Sequence, residues 1–267
     1  MITEKIKARY GDFYIIKNDA YICRSLKEYG EWSQGEIHIY ETCIRKNSCV
    51  IEVGSHIGSL TVPISKLCNS VFAFEPQRKI FQLLNTNLCI NNIQNVYAYM
   101  NAVGNENKQI ILKEPDFTDA IFDNGVNTGG IRLNQLEANS NGYHIPMIKL
   151  DDVIPPDALI SFIKVDAETM ELDVIKGAEK IIKNNRPILY LESNPKSDMA
   201  LENYVKELGY KVYAHTPDYF NPDNFNKNQE RIFPPVFSSP DGSVHIYDFM
   251  ILCIPNEVTF NTNLIQL

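Results

Sequence analysis

The sequence predicts an α/β protein built on a doubly wound, mostly parallel β-sheet. Apolar, strand-like segments alternate with segments of helical spacing along most of the chain, and this pattern is typical of successive β-α-β units. Strand-like segments such as ILYL are apolar throughout, as expected where helices cover both faces of a sheet. The length of 267 residues suits one large domain of this kind.

Residues 1–45 are expected to form a short β-rich extension that precedes the main domain, residues 46–267. The segments FYII and AYICR have the composition of strands. Lys17–Asp19 lies between them and is typical of a turn.

The main domain is expected to begin with three strands and two helices. Compact apolar runs predict strands at Ser48–Val53, Val71–Phe74 and Val96–Met100. Apolar residues at helical spacing predict helices at Ile57–Leu67 and Ile80–Ile90.

An insertion at about residues 104–150 is expected to interrupt this alternation. It contains the strand-like segments KQIILK and HIPMIKL, with a long polar stretch between them. Connections of this length often face the substrate.

The alternation resumes in the second half of the chain. Strands are predicted at Ser161–Val165, Ile188–Leu191, Lys211–Ala214 and Val244–Cys253. Helices are predicted at Glu171–Lys183 and Met199–Leu208, and a second insertion at about residues 215–243. No helix follows the last strand, so it is expected to join the sheet antiparallel, at an edge.

Composition and charge narrow the classes of function. A hydrophobic fraction of 44% allows a full core, and a net charge of -8 argues against nucleic acid as a partner. No apolar run approaches the roughly 18 residues of a membrane span, and the N-terminus lacks the pattern of a signal peptide. We therefore expect a cytoplasmic protein, and we leave its oligomeric state open.

The first chemical motif follows the strand that ends at Val53. Its glycines, Gly54 and Gly58, have the spacing G-x-x-x-G, which differs from the G-x-G-x-x-G of dinucleotide-binding proteins. Glu52 would repel a phosphate but would suit a cationic amino-acid group. This favours S-adenosylmethionine over NAD as the cofactor, with Glu52 and Gly54 at its methionine end. The alternative is a tight turn without function.

The second motif is Glu75-Pro76 at the end of the second strand. An acid in this position can accept hydrogen bonds from both hydroxyl groups of a ribose. Alternatively, Glu75 satisfies the free amide groups at the start of a helix.

The third motif, KVDAETME, places Asp166, Glu168 and Glu171 within six residues at the end of the fourth core strand. Asp166 is our first choice and Glu168 our second for a base that deprotonates an acceptor hydroxyl. Glu171 suits the first turn of the following helix, and helix capping is the alternative for the whole cluster. Glu192 ends the fifth strand at the same edge of the sheet. The carboxylate oxygens of Asp166, Glu168 and Glu192 would suit a divalent ion, but no ligand spacing requires one, so no metal is expected.

The motifs together resemble the FkbM family of S-adenosylmethionine-dependent methyltransferases. The resemblance covers roughly residues 30–255. It rests on the segments GEWSQGEIHIYE, VIEVGSHIGSLT, VFAFEP, NAVG, IKLDDV, FIKVDAETMELDVIKGAEKII and ILYLE, in that order.

The resemblance implies a class I methyltransferase fold, Rossmann-like, with a seven-stranded sheet whose last strand is antiparallel. It also implies a cofactor site that includes Ser55, His56, Gly58, Pro76 and Asp166. Asn101 and Ala102 are expected to border the adenine. On the substrate side it implies Trp32 and Glu36, with Glu192 at the same edge, although core packing is an equally good reading of Trp32.

The sequence departs from the family pattern at three places. Glu52 replaces the usual Asp, Ser55-His56 replaces Ala-Asn, and Thr169 stands where the family has Gly. His56 therefore either contacts the cofactor or caps the helix. The aromatic residues of 213–237 either form a sugar platform or fill the loop.

The sequence therefore predicts an O-methyltransferase that uses S-adenosylmethionine. The expected acceptor is a small molecule or glycan, most often a sugar hydroxyl in a glycan, glycolipid or natural product. Two alternatives remain open: an NAD(P)-dependent oxidoreductase on a similar sheet, and a catalytically degenerate binding protein of the methyltransferase fold.

Overall fold

A computed structural model describes residues 1–112, 142–193, 199–233, 237–238, 244–245 and 249–267 of the chain. The polar stretch of the first insertion, and much of the second insertion, therefore lie outside the described residues. No helix in the described ranges combines the length and the apolar character needed to cross a membrane.

The N-terminal segment forms a β-hairpin followed by two helices. Its elements are β1 (Thr3–Ala8), β2 (Gly11–Ile16), α1 (Ile22–Glu28) and α2 (Gln34–Cys43). The predicted strand AYICR is wrong, since α1 begins inside it. The Asp19 carboxylate accepts a hydrogen bond from the amide of Cys23 at 2.7 Å, which satisfies a free donor at the start of α1. The segment is therefore mixed rather than β-rich, and its apolar residues share one core cluster with the main domain.

The first half of the main domain has the predicted alternation. Its elements are β3 (Cys49–Val53), α3 (Thr61–Ser65), β4 (Ser70–Phe74), α4 (Arg78–Ile90) and β5 (Val96–Tyr99). The helix predicted from Ile57 begins only at Thr61. His56 and Gly58 have φ angles of 48° and 88°, and a right-handed helix cannot include such residues.

The first insertion contributes a small separate sheet. It contains β6 (Ala102–Val103), β7 (Lys108–Leu112) and β8 (Tyr143–Ile148), with β8 in the centre, and α5 (Leu150–Val153) follows. The strands predicted in KQIILK and HIPMIKL are confirmed.

The second half contributes the remaining strands of the main sheet. Its elements are β9 (Ile160–Val165), α6 (Glu171–Lys176), α7 (Glu179–Asn185), β10 (Ile188–Glu192), α8 (Met199–Glu207), β11 (Tyr210–His215), β12 (Phe237–Ser238), β13 (Val244–His245), β14 (Met250–Pro255) and β15 (Ile265–Gln266).

Two predictions for this half need correction. The helix predicted at Glu171–Lys183 is divided into α6 and α7 at Gly177. A Cβ atom on Gly177 would lie 2.1 Å from the carbonyl oxygen of Gly104, so the backbones meet too closely for a side chain. The strand predicted at Val244–Cys253 is also divided, because β13 and β14 belong to different sheets.

The main sheet has the order β15-β11-β14-β10-β9-β3-β4-β5. Its strands are parallel except for β14, which runs antiparallel to both neighbours, and the short β15. The predicted antiparallel last strand is confirmed, but the predicted edge position is wrong, because β14 lies between β10 and β11. The carboxyl ends of β3, β4, β9 and β10 meet at one edge, and ligands bind at this edge in open α/β sheets.

Candidate active site

Two adjoining cavities lie at the carboxyl ends of the central strands. The larger has a volume of about 300 Å³ and the smaller about 50 Å³. The predicted site residues that line the larger cavity are Trp32, Glu36, Glu52, Gly54, Ser55, His56, Glu75, Asp166, Glu168 and Glu192. The smaller cavity adds Pro76, Asn101 and Ala102. The structure thus brings together residues from distant parts of the sequence.

Gly54 and Gly58 have different reasons to be glycine. Both have positive φ angles, 82° and 88°. A Cβ atom on Gly54 would lie 1.9 Å from the carbonyl oxygen of Asp166, whereas one on Gly58 would lie 2.9 Å from Leu84 Cδ1. Gly54 therefore lets two strand ends meet beside the cavity. Gly58 lies against α4 and is not among the residues that line either cavity.

The amide groups of this loop donate to protein acceptors. Those of Gly54 and Ser55 donate to the carbonyl oxygen of Phe74 at 3.0 and 3.1 Å. The amide of Gly58 donates to Ser55 at 2.9 Å. A loop that cradles a diphosphate presents its amide groups to the ligand, and these three are turned elsewhere.

Glu52 presents an unsatisfied carboxylate oxygen in the larger cavity. Its side chain is 1% exposed, and Oε2 accepts a hydrogen bond from the hydroxyl of Thr61 at 2.6 Å. Oε1 is buried and has no hydrogen-bond partner among the residues that the structure describes. Burial raises the pKa of Glu52 to about 7, against the opposing effect of the Lys164 charge. A cationic group of a ligand would satisfy this oxygen.

Glu75 is held rigidly by two backbone amides. Oε1 accepts from Gln77 at 2.8 Å and Oε2 from His56 at 3.0 Å. Burial raises the pKa of Glu75 to about 7, and the hydrogen bonds from the two backbone amides oppose this rise. Gln77 is the N-cap of α4, so the helix-start interpretation of Glu75 is confirmed. The same carboxylate also lines both cavities, and each oxygen retains a lone pair for a ligand.

His56 is a buried wall of the larger cavity rather than a helix cap. The N-cap of α3 is Leu60, so the capping interpretation of His56 is wrong. Burial lowers the pKa of His56, which favours a neutral imidazole at physiological pH. The hydrogen bond from the His56 backbone amide to the Glu75 carboxylate joins the loop after β3 to the end of β4.

The segment after β9 has an unusual backbone. Glu168 and Thr169 have φ angles of 50° and 81°. Thr169 stands where the family has Gly, and a β-branched residue at positive φ is strained. The Glu171 carboxylate accepts a hydrogen bond from the amide of Ala167 at 2.9 Å, so Glu171 is a first-turn acid of α6. Asp166 and Glu168 both line the larger cavity.

Lys164 is the site residue that the sequence analysis missed. It lies within β9, is 2% exposed, and its Nζ is 2.9 Å from Asp166 Oδ2. Burial alone would lower the pKa of Lys164, but the charges of Asp166, Glu36 and Glu52 raise it above its ordinary value. A lysine inside the apolar run FIKV was the available signal, because lysine is almost never fully buried unless it is paired.

Part of the larger cavity is lined by Trp32, which precedes α2, by Glu36 of α2 and by Tyr219 in the loop after β11. The Trp32 ring stacks on Tyr219, with centroids 4.5 Å apart, and the two residues are 7% and 8% exposed. Each ring thus covers the other, which leaves little of an open sugar platform. Glu36 is buried beside them, and its Oε2 accepts a hydrogen bond from the Tyr40 hydroxyl at 2.7 Å. Burial raises the pKa of Glu36.

Asp166, Glu168 and Glu192 have carboxylate oxygens within 4.8 Å of one another. This spacing would suit a divalent cation. The Asp166 carboxylate is, however, already paired with Lys164. The spacing alone does not establish a metal site.

The sheet order and the position of the site define the class of protein. Without the short β15, the main sheet has seven strands, with the antiparallel β14 between β10 and β11. This arrangement is the class I methyltransferase fold, which is Rossmann-like in its parallel part. The chain belongs to the FkbM family of methyltransferases. The family's domain, described as "Methyltransferase FkbM domain", matches residues 52–212, more than half of the chain.

Individual relatives are remote. Methyltransferase 1 of Beauveria bassiana is 22% identical over an alignment of 199 residues, and the match covers 66% of this chain and 78% of that protein. The crystal structure of Methyltransferase FkbM from Methylobacillus flagellatus KT has a TM-score of 0.48 and 16% identity, over 82% of this chain and 50% of that one. This chain therefore spans about half the length of that structure. M. jannaschii TYW2 in complex with AdoMet has a TM-score of 0.45 and 13% identity, over 94% of this chain and 85% of that one.

Proposed function

We propose that this protein is an S-adenosylmethionine-dependent O-methyltransferase. The acceptor that we propose is a hydroxyl group of a sugar in a glycan, glycolipid or natural product. The observation that carries the proposal is the buried, unpartnered Oε1 of Glu52 in the larger cavity, in a chain whose family is a methyltransferase family.

The residues present fit the proposed cofactor. Glu52 offers its free oxygen to the amino group of the methionine part. Glu75 offers two carboxylate oxygens, fixed by backbone amides, to the ribose hydroxyls. Asn101 and Ala102 line the smaller cavity, which adjoins Glu75 and would take the adenine. When bound, S-adenosylmethionine supplies an activated methyl group on a sulfonium.

Asp166 is the proposed base, with Glu168 as the second choice. The Asp166 side chain is 42% exposed and lines the larger cavity, so an acceptor can reach it. In the proposed transfer the methyl carbon–sulfur bond would break as the carbon–oxygen bond forms, leaving S-adenosylhomocysteine as a neutral thioether. The proton of the acceptor hydroxyl would pass to the Asp166 carboxylate. A positioned base of this kind typically contributes about 100- to 10,000-fold to the rate. Alignment of the reacting groups contributes further.

The substrate side of the proposal includes Trp32, Glu36 and Glu192. All three line the larger cavity together with the proposed base. The sugar class of the acceptor rests on the resemblance to the family and not on a contact in the cavity. The stacked pair of Trp32 and Tyr219 would bound the acceptor at one side.

The loop after β3 argues against the alternative of an NAD(P)-dependent oxidoreductase. A dinucleotide needs amide donors for its diphosphate, whereas Gly54 and Ser55 donate to Phe74. Glu52 and Glu75, both buried at this place, would also repel phosphate. The degenerate alternative draws on Thr169, whose strained backbone lies beside the proposed base.

Calorimetric titration with S-adenosylhomocysteine and with NADH separates the two cofactor classes. The proposal predicts binding of S-adenosylhomocysteine and no response to NADH, and the opposite result would overturn it. Incubation with radiolabelled donor and a set of candidate glycans then tests catalysis. Cofactor binding without label transfer to any acceptor would favour the degenerate alternative.

A further inference from the structure

The buried ammonium group of Lys164 lies at the proposed site, and the proposed methyl transfer assigns it no role. Lys164 is 2% exposed and lines the larger cavity. A lysine in such a place tends to lose its charge unless opposite charges surround it. Here Asp166, Glu36 and Glu52 act on it together, so the ammonium remains charged.

The sheet register explains why these groups meet. Lys164 of β9 is the register partner of Glu52 of β3, and paired residues on neighbouring strands project from the same face. Asp166 lies two residues further on and therefore projects from that face as well. Glu36 comes from α2, which lies outside the sheet. One lysine thus contacts the Asp166 carboxylate and lies within the electrostatic influence of Glu36 and Glu52.

We propose that Lys164 is a positioning residue, whose ammonium group holds the Asp166 carboxylate at the cavity and favours the ionised form of Glu52, which would bind the amino group of the donor. This inference rests on the proposed function, because it assigns roles within the same site. The Lys164 ammonium group forms a 2.9 Å ion pair with Asp166 Oδ2 and also donates to the carbonyl oxygen of Gly54 at 3.5 Å. Its effect on Glu52 acts through the charge across the register pair.

The effect on Glu52 has a definite sign. Burial favours the protonated form of Glu52, and the Lys164 charge opposes this effect. Without Lys164, Glu52 would ionise only at a higher pH. A protonated carboxyl binds an ammonium group poorly, so affinity for the donor would be lost at low pH and regained as the pH rises.

Other ionisable groups near Glu52 do not reproduce this behaviour. Glu36 raises the pKa of Glu52, in the direction opposite to Lys164. Tyr40 and Cys68 also interact with Glu52, but burial raises the pKa of both, so they remain neutral near pH 7. Lys164 is therefore the group to remove.

The test compares Lys164→Met with the wild type and with Lys183→Met, an exposed lysine of α7. Calorimetry measures the affinity for S-adenosylhomocysteine between about pH 6 and about pH 8, a range that spans the ionisation of Glu52. For Lys164→Met we expect at least about tenfold weaker binding at the low end, with the midpoint about one unit higher. Lys183→Met should match the wild type.

A purely structural role predicts another result. Damage to packing would weaken binding equally at every pH, and an unchanged midpoint in a folded Lys164→Met protein would overturn the inference. Lys164→Arg keeps the charge and should keep the midpoint near that of the wild type. Should Lys164→Met fail to fold, Lys164→Gln tests the same link, because it also removes the positive charge and should move the midpoint in the same direction. Wild-type protein that binds no S-adenosylhomocysteine would refute the proposed function, whereas normal wild-type binding with an unchanged midpoint in the variant refutes only the role of Lys164.

Discussion

Replacement of Thr169 by glycine should stabilise the protein. Thr169 has a φ angle of 81° and an exposed side chain. A left-handed conformation costs a residue other than glycine roughly 1–2 kcal/mol. Glycine avoids this cost but loses about 0.5–1 kcal/mol through the greater freedom of the unfolded chain. The net expectation for Thr169→Gly is therefore a gain of about 0.5–1 kcal/mol in the free energy of unfolding.

Thr42→Gly is the matched control for this prediction. Thr42 is exposed in α2 and has no positive φ angle. Glycine at this position should therefore lower the free energy of unfolding of the protein by about 0.5 kcal/mol. Urea denaturation followed by circular dichroism measures the free energy of unfolding of both variants. In thermal denaturation, each kcal/mol corresponds to a shift of about 2–4 °C in Tm. Opposite signs are expected for the two variants. Equal destabilisation in both would refute the assignment of backbone strain to Thr169.

Three further predictions concern the site. Glu75→Ala should weaken S-adenosylhomocysteine binding by at least about tenfold, whereas Asp166→Asn should spare binding and lower turnover about 100- to 10,000-fold. Calorimetry measures the binding and a methyl-transfer assay measures the turnover. Equal affinity of wild type and Glu75→Ala for S-adenosylhomocysteine would show that Glu75 does not bind the ribose. Gly54→Ala should cost about 2–4 kcal/mol of stability, because its Cβ atom would lie 1.9 Å from a backbone oxygen; a Tm equal to that of the wild type would contradict the close approach. The free energy of unfolding of the ligand-free protein should fall as the pH rises from about 5 to about 8, by at most about 3 kcal/mol for each of Glu52 and Glu75. The reason is that the pKa values of both groups are about 7 in the folded protein and 4.5 in the unfolded chain. Measurement of Tm against pH tests this, and a Tm that rises over the same range would contradict it.

The central strands were predictable because their physics is local. A strand such as β10, covered on both faces, must be apolar throughout, and the sequence ILYL shows this directly. The meeting of Glu52 and Glu75 at one cavity was predictable for a related reason, since the ends of neighbouring parallel strands converge at one edge. The family resemblance supplied the rest of the expected cofactor site.

Element boundaries failed where the backbone leaves its common conformations. The start of α3 depends on positive φ angles at His56 and Gly58. The break at Gly177 depends instead on its close approach to Gly104. The position of β14 within the sheet depends on pairing with both β10 and β11. Such contacts between distant segments leave no periodic pattern in the sequence.

The contacts of Trp32 and Lys164 in the cavity were the least predictable part. Tyr219 reaches Trp32 from a loop far along the chain. The burial of Lys164 depends on acids from β3, from α2 and from the end of its own strand. A single sequence shows the residue types but not which of them the fold brings into contact.

A crystal structure with bound S-adenosylhomocysteine tests the central claim most directly. We expect the amino group of the ligand within hydrogen-bond distance of Glu52 Oε1 and both ribose hydroxyls within that distance of the Glu75 carboxylate. A ligand bound elsewhere, or a ribose remote from Glu75, would contradict the proposed site.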